Sequence, residues 1–151
     1  MKSILTIAAI GTLIFGIAEP AAAFKFSPAK TRYIAAGPST ATLNGVTLNC
    51  TGKFHVVVNK AGKGKITAVS FSGARGCSTV GVAGLPWAFT ATGASSATIT
   101  NADFISKGGP CGPANMPVSL SGGVIGYNAG FDQCSHVGLS LTTQPTLTIT
   151  P

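Results

Sequence analysis

Past the first two dozen residues, the side chains able to do chemistry are few: Asp103 and Asp132, His55 and His136, and Cys50, Cys77, Cys111 and Cys134. Two carboxylates are the minimum for glycoside hydrolysis, but they must face each other across a cleft. Asp103 reads as the cap of a strand end, and Asp132, in the Gly130 to Cys134 loop, as an Asx-turn. Asp132, Ser135, His136 and Ser140 supply the residue types of an orienting acid, a base and a nucleophile, a chemistry that needs the imidazole held between its two partners. In a chain this rich in serine their closeness in sequence carries little, and no Gly-x-Ser-x-Gly elbow is present. His55 alternates with Phe54 and Val56, which turns it toward solvent or a neighbouring strand. The sequence therefore assigns no catalytic residue and no cofactor, and reads as non-enzymatic.

The four cysteines read as disulfides, because an even count of thiols in an exported chain persists in the oxidised form. Three pairings exist. Cys50–Cys77 with Cys111–Cys134 is favoured, since each pair brackets a hairpin-sized segment and the two loops are of similar length. In the chain-entropy view each such loop contributes roughly 3 kcal/mol. A zinc site fits poorly: there is no Cys-x2-Cys pair, and Cys134-Ser135-His136 is a poor spacing for tetrahedral ligands. No metal is assigned. Lys60, Lys63 and Lys65, with Lys53 nearby, form a charge cluster able to face an acidic polysaccharide or phospholipid headgroups, or simply to solvate a hairpin tip. Nucleic acid is not expected there, because stacking aromatics are missing beside the lysines; only Phe54 is near, and its alternation places it in the core.

The elements that hold these residues begin after an export signal. Lys2 gives a positive start, Ile4 to Ile17 an apolar run, and Ala21-Ala22-Ala23 a small-residue cleavage site, so residues 1–23 read as a signal peptide cut before Phe24. The apolar run is shorter than the roughly 20 residues of a membrane span, so the mature form carries no transmembrane anchor and is secreted or held at the cell surface. Residues 24–151 are the size of a single domain. Their charge is almost all basic: removing Lys2 and Glu19 leaves the net charge at +7.

Thr, Ser, Gly and Ala dominate this domain, a composition that suits short strands and Gly-rich turns. Thr40 to Leu43 and Val46 to Asn49 flank Asn44-Gly45, a type I′ hairpin signal. Phe54 to Val58 and Ile66 to Phe71 flank a longer basic loop, and further alternating segments lie at Trp87 to Thr92, Ala97 to Phe104, Val118 to Ser121, Val124 to Tyr127, Val137 to Thr142 and Thr146 to Thr150. About nine short strands with regular turns predict an all-β fold, a two-sheet antiparallel β-sandwich of immunoglobulin-like or jelly-roll-like form. Trp87, ten residues after Cys77, is expected to anchor its core.

Several motifs together carry a family likeness: Phe24-x-Phe26-x-Pro28, Leu48-x-Cys50, Cys77 followed by Leu85-Pro86-Trp87, Cys111-Gly112-Pro113, and Leu147-Thr148-Ile149. With them the chain resembles the small exported bacterial PraB-like proteins, the activator-of-alkane-oxidation family. The resemblance implies a secreted, non-enzymatic protein of Gram-negative bacteria, linked to growth on alkanes and to the extracellular or biofilm matrix. It brings no catalytic or binding residues with it. Two modes of action suit a sparsely charged chain of positive mean hydropathy. An apolar face adsorbs at an oil–water boundary or a polysaccharide surface, or copies of the chain pair into fibres through the uncharged segments Val137 to Thr142 and Thr146 to Thr150, or through the arm Phe24 to Ser39. A small carbohydrate- or lipid-binding module is a further alternative.

Overall fold

The computed structural model describes residues 23–151; the predicted signal peptide falls almost wholly outside them. Eleven strands run in chain order: β1 (Lys25–Ser27), β2 (Thr31–Leu43), β3 (Val46–Val58), β4 (Gly64–Gly73), β5 (Gly81–Val82), β6 (Trp87–Gly93), β7 (Ser96–Ser106), β8 (Gly109–Ser121), β9 (Val124–Phe131), β10 (Cys134–Gln144) and β11 (Thr148–Thr150). A single 3-10 turn, Cys77–Thr79, interrupts the connection between β4 and β5. The all-β expectation is met, but the sandwich is not. Strands β2, β3, β4, β6, β7, β8, β9 and β10 each pair antiparallel with the next, and β10 returns to pair with β2. The result is an eight-strand up-and-down barrel.

The correction has a physical cause. Period-two alternation buries one face of a strand in either architecture, so it does not distinguish a sheet that packs on a second sheet from one that curls on itself. Closure is decided by the β10–β2 seam, which runs from His136 opposite Thr42 to Gln144 opposite Ile34 and joins strands about a hundred residues apart. Several strands are also longer than the short segments the turn signals implied: β2, β3 and β8 have 13 residues each. Long, tilted strands are what a barrel needs, and register shifts in the β3–β4, β6–β7, β7–β8 and β9–β10 ladders supply the added bend. The expected Asn44-Gly45 hairpin is present, both residues at positive φ and Leu43 paired with Val46.

One end of the barrel is plugged. The ribbon of β1 and β11 lies across it, with the Phe26 amide donating to the Gly62 carbonyl at 2.9 Å and the Phe26 ring stacked on Phe89 at 4.4 Å. Beneath the plug, Tyr33, Val56, Ile66, Phe89, Ile99, Met116, Ile125, Leu141 and Leu147 are almost fully buried. Tyr33 donates its hydroxyl to the Pro28 carbonyl, and loss of solvent raises its pKa above the ordinary phenol value. Trp87 is buried as expected, its indole N–H donating to the Ala83 carbonyl at 2.8 Å and its ring edge-on to Phe104. The outward positions carry mainly Thr, Ser, Asn and Lys, the reverse of a lipid-facing barrel. Among the described residues no helix is long and apolar enough to cross a membrane.

The seam that closes the ring depends on Gly37. A Cβ at this position would collide with the Ser140 carbonyl oxygen and crowd its carbonyl carbon in the β10 backbone. Gly37→Leu is expected to destabilise the fold by about 1–3 kcal/mol, measured by urea unfolding. The outward Thr42→Leu, at the same seam, should stay within about 0.5 kcal/mol of the parent.

Candidate functional site

Opposite the plug the barrel wall parts. β4 pairs with β6 only between Gly64 and Ile66, and β8 with β9 only between Ser119 and Ser121. Toward the free end both seams separate, leaving a leaf of β4, β3, β2, β10 and β9 facing a leaf of β5, β7 and β8. Three contacts clasp the leaves. The Cys111–Cys134 disulfide joins β8 to β10, the Gly112 amide donates to the Asp132 carboxylate at 2.9 Å, and the Asn44 side chain donates to the Gly108 carbonyl at 3.3 Å. The last of these links hairpin tips on opposite sides of the ring, so they meet over the mouth. A second disulfide, Cys50–Cys77, pins the β4–β5 connection to β3 beside the other parted seam.

Between the leaves lies a cavity of about 380 Å³. Its walls are Leu43 and Ala41 of β2, Leu48 of β3, Phe71 of β4, Val80, Phe104 of β7, and Val137 and Leu139 of β10, together with both disulfides. Polar groups gather at the rim, where Asn44, Thr79 and Ser106 stand with Lys107, the one charged residue in the lining. The void follows from side-chain size. The inward positions of β2 shrink from Tyr33 through Ala35 and Gly37 to Ser39 and Ala41, so the half of the barrel nearer the mouth is left unfilled where the plugged half is packed. Val46 at the rim is an exposed large apolar residue, 64% accessible.

The residues weighed for catalysis do not converge. Asp132 sits in the β9–β10 turn with positive φ, and its carboxylate is engaged by Gly112 rather than closing its own turn. Ser135 donates to the Thr42 carbonyl at 3.3 Å, and no hydrogen bond joins it or Asp132 to His136. His55 points outward from β3, exposed. Asp103 lies within β7 rather than at its end; one carboxylate oxygen is buried without a partner. All four cysteines are in disulfides, and among the described residues no three of His, Cys, Asp and Glu gather as metal ligands. The basic residues divide: Lys60, Lys63 and Lys65 lie at the plugged end, while Lys53 pairs opposite Ala36 and Ser70, further along the wall.

The sequence places most of the cavity residues on alternating strands but does not show the cavity. Alternation marks a residue as inward without saying whether anything fills the space opposite it. The run of small inward residues on β2 is the one trace of it in the sequence. The uncharged stretch Val137 to Thr142, read as a bare edge, is paired on both sides, to β2 and to β9. The Phe24 to Ser39 arm forms β1 and much of β2 of its own domain.

Replacing Cys111 and Cys134 by Ser removes the covalent clasp. The double variant is expected to lose about 2–4 kcal/mol of stability. Hydrogen exchange should quicken at Cys111 to Met116 and Asn128 to Val137, while amides of Phe89 to Ile99 at the plugged end stay protected; uniform loss of protection would contradict the two-part wall.

The family described as Alkane oxidation protein activator PraA/PraB-like matches residues 1–151, the whole chain. Neither a curated protein nor a solved structure gives a significant match.

Proposed function

The chain belongs to the PraA/PraB-like family of alkane oxidation protein activators, and from that membership and the shape of the mouth we propose that it is a secreted, non-enzymatic protein that takes up an apolar, chain-like molecule between its two leaves. The observation that carries this reading is the apolar cavity of about 380 Å³. Small-ligand sites are typically concave, mostly apolar and roughly 300–1,000 Å³ in volume. Eight-strand barrels either fill their interior with side chains or hold one small ligand, and the small inward residues Ser39 and Ala41 favour the second outcome here.

The chemistry of the wall narrows the ligand. A hydrocarbon chain asks for no hydrogen bond and is driven from water by its apolar area alone, which suits walls of Leu43, Leu48, Phe71, Phe104, Val137 and Leu139. A sugar would need polar partners along its length, and apart from Ser39 and Thr40 on β2 these stand at the rim. Lys107 is placed to meet an anionic head, so a carboxylate-ended chain binds more tightly than the alkane of equal length. Export agrees with two disulfides, which persist in oxidising compartments. In this reading the protein supports alkane oxidation by carrying or presenting apolar chains, not by reacting with them.

The test is uptake of a fluorescent naphthylamine probe and its displacement by dodecane and by dodecanoate. Ala41→Phe, which fills the cavity from β2, and Leu139→Asp, which charges its wall, should each weaken uptake at least tenfold, about 1.4 kcal/mol. The outward Thr42→Ala should leave uptake unchanged, and Lys107→Gln should remove the preference for dodecanoate. Undiminished uptake by a folded Ala41→Phe protein would place the ligand elsewhere.

A further inference from the structure

The barrel is electrically polar as well as open at one end. Beyond residue 22 the chain has nine Lys and Arg side chains and two side-chain carboxylates, Asp103 and Asp132. Six of the cations, Lys25, Lys30, Arg32, Lys60, Lys63 and Lys65, are exposed at the plugged end. Both carboxylates lie in the half that holds the mouth, Asp132 roughly 25 Å away along tilted strands that rise about 3.3 Å per residue.

The backbone forces this crowding. The loop between β3 and β4 is folded around the Asn59 side chain, which accepts from the amides of Ala61 at 2.9 Å and Lys63 at 3.0 Å. The same loop receives the amides of Phe26 and Lys30 on its Gly62 and Asn59 carbonyls. Lys25, Lys30, Lys60 and Lys63 are thereby tied to one short segment. Arg32 and Lys65 flank Val57 in a row across β2, β3 and β4. Lys30 holds φ at +54°, a conformation that Gly or Asn adopts more readily. Local geometry therefore does not account for a lysine there. Like charges held together repel, and among the described residues no Asp or Glu side chain at this end offsets them.

We infer that the plugged end is a docking surface for the phosphate-bearing headgroups of an anionic lipid membrane. Two exposed apolar side chains stand among the cations and favour a membrane over a free acidic polymer: Phe24, 37% accessible, beside Lys25, and Ile34, 40% accessible, two residues from Arg32 on the same face. Cations mixed with apolar side chains that reach the headgroup layer are the composition of interfacial membrane binders. Docking in this orientation turns the mouth away from the membrane. The inference is independent of ligand uptake by the mouth.

The test is co-sedimentation of the secreted protein with vesicles of phosphatidylcholine alone and of phosphatidylcholine with one-third phosphatidylglycerol. Binding is expected only to the anionic vesicles and should be lost in 0.5 M salt, where the screening length falls to a few ångströms. Replacing Lys60, Lys63 and Lys65 together by Gln should lower partitioning on the order of 100-fold, about fivefold per charge. Phe24→Ser should lower it several-fold at unchanged charge, and Arg75→Gln should leave it unchanged. Equal binding to neutral vesicles, unchanged binding by the triple variant, or capture by alginate without vesicle binding would each overturn the proposal. A urea unfolding midpoint equal to the parent's shows that the triple variant is folded, whatever its naphthylamine uptake.

Discussion

Everything in this protein depends on the pairing of β10 with β2. Without it the eight ring strands would form an open sheet with two long edges, and their apolar inward faces would have nothing to enclose. Nine residues of β2, Ile34 to Thr42, lie along that seam, and it tolerates no side chain at Gly37 because the β10 backbone passes directly over it. The constraint is non-local: the last long strand must find the first. The intervening meander of short hairpins brings them together, and the register shifts along it bend the sheet until the edges meet.

Closure is complete only at the plugged end, and the rest of the molecule follows from that asymmetry. There, ladders continue around the ring and the β1–β11 ribbon adds Phe26 to a packed interior. Toward the mouth two ladders stop early, and covalent bonds take over where hydrogen bonds end. Each disulfide sits beside one of the parted seams. Such an arrangement separates stability from access. The packed half supplies the hydrophobic driving force, while the parted half can keep an unfilled apolar space that a uniformly packed barrel would collapse.

The two ends therefore have opposite chemistry on one rigid frame. Apolar walls with one lysine at the rim suit an apolar chain, and a crowd of cations at the plug suits an anionic surface. The chain belongs to a family of alkane oxidation activators, and the proposed uptake and docking together would hold apolar chains near a membrane.

Much of this was legible in the residues. Alternation with abundant Thr, Val and Gly determined the all-β class; Asn44-Gly45 determined the first long hairpin; and Trp87 and Phe54 were marked as core, because each of these signals is local and acts within a strand or a turn. Only the tertiary structure decided that the strands form a barrel instead of a sandwich, that Val137 to Thr142 has partners on both sides, and that Lys25, Lys30 and Arg32 join Lys60, Lys63 and Lys65 while Lys53 does not. It alone decided that inward residues near the mouth face a void. The physical reason is common to all four: alternation fixes which way a side chain points, but what stands opposite it is set by which distant strands pair, and that is a property of the closed ring.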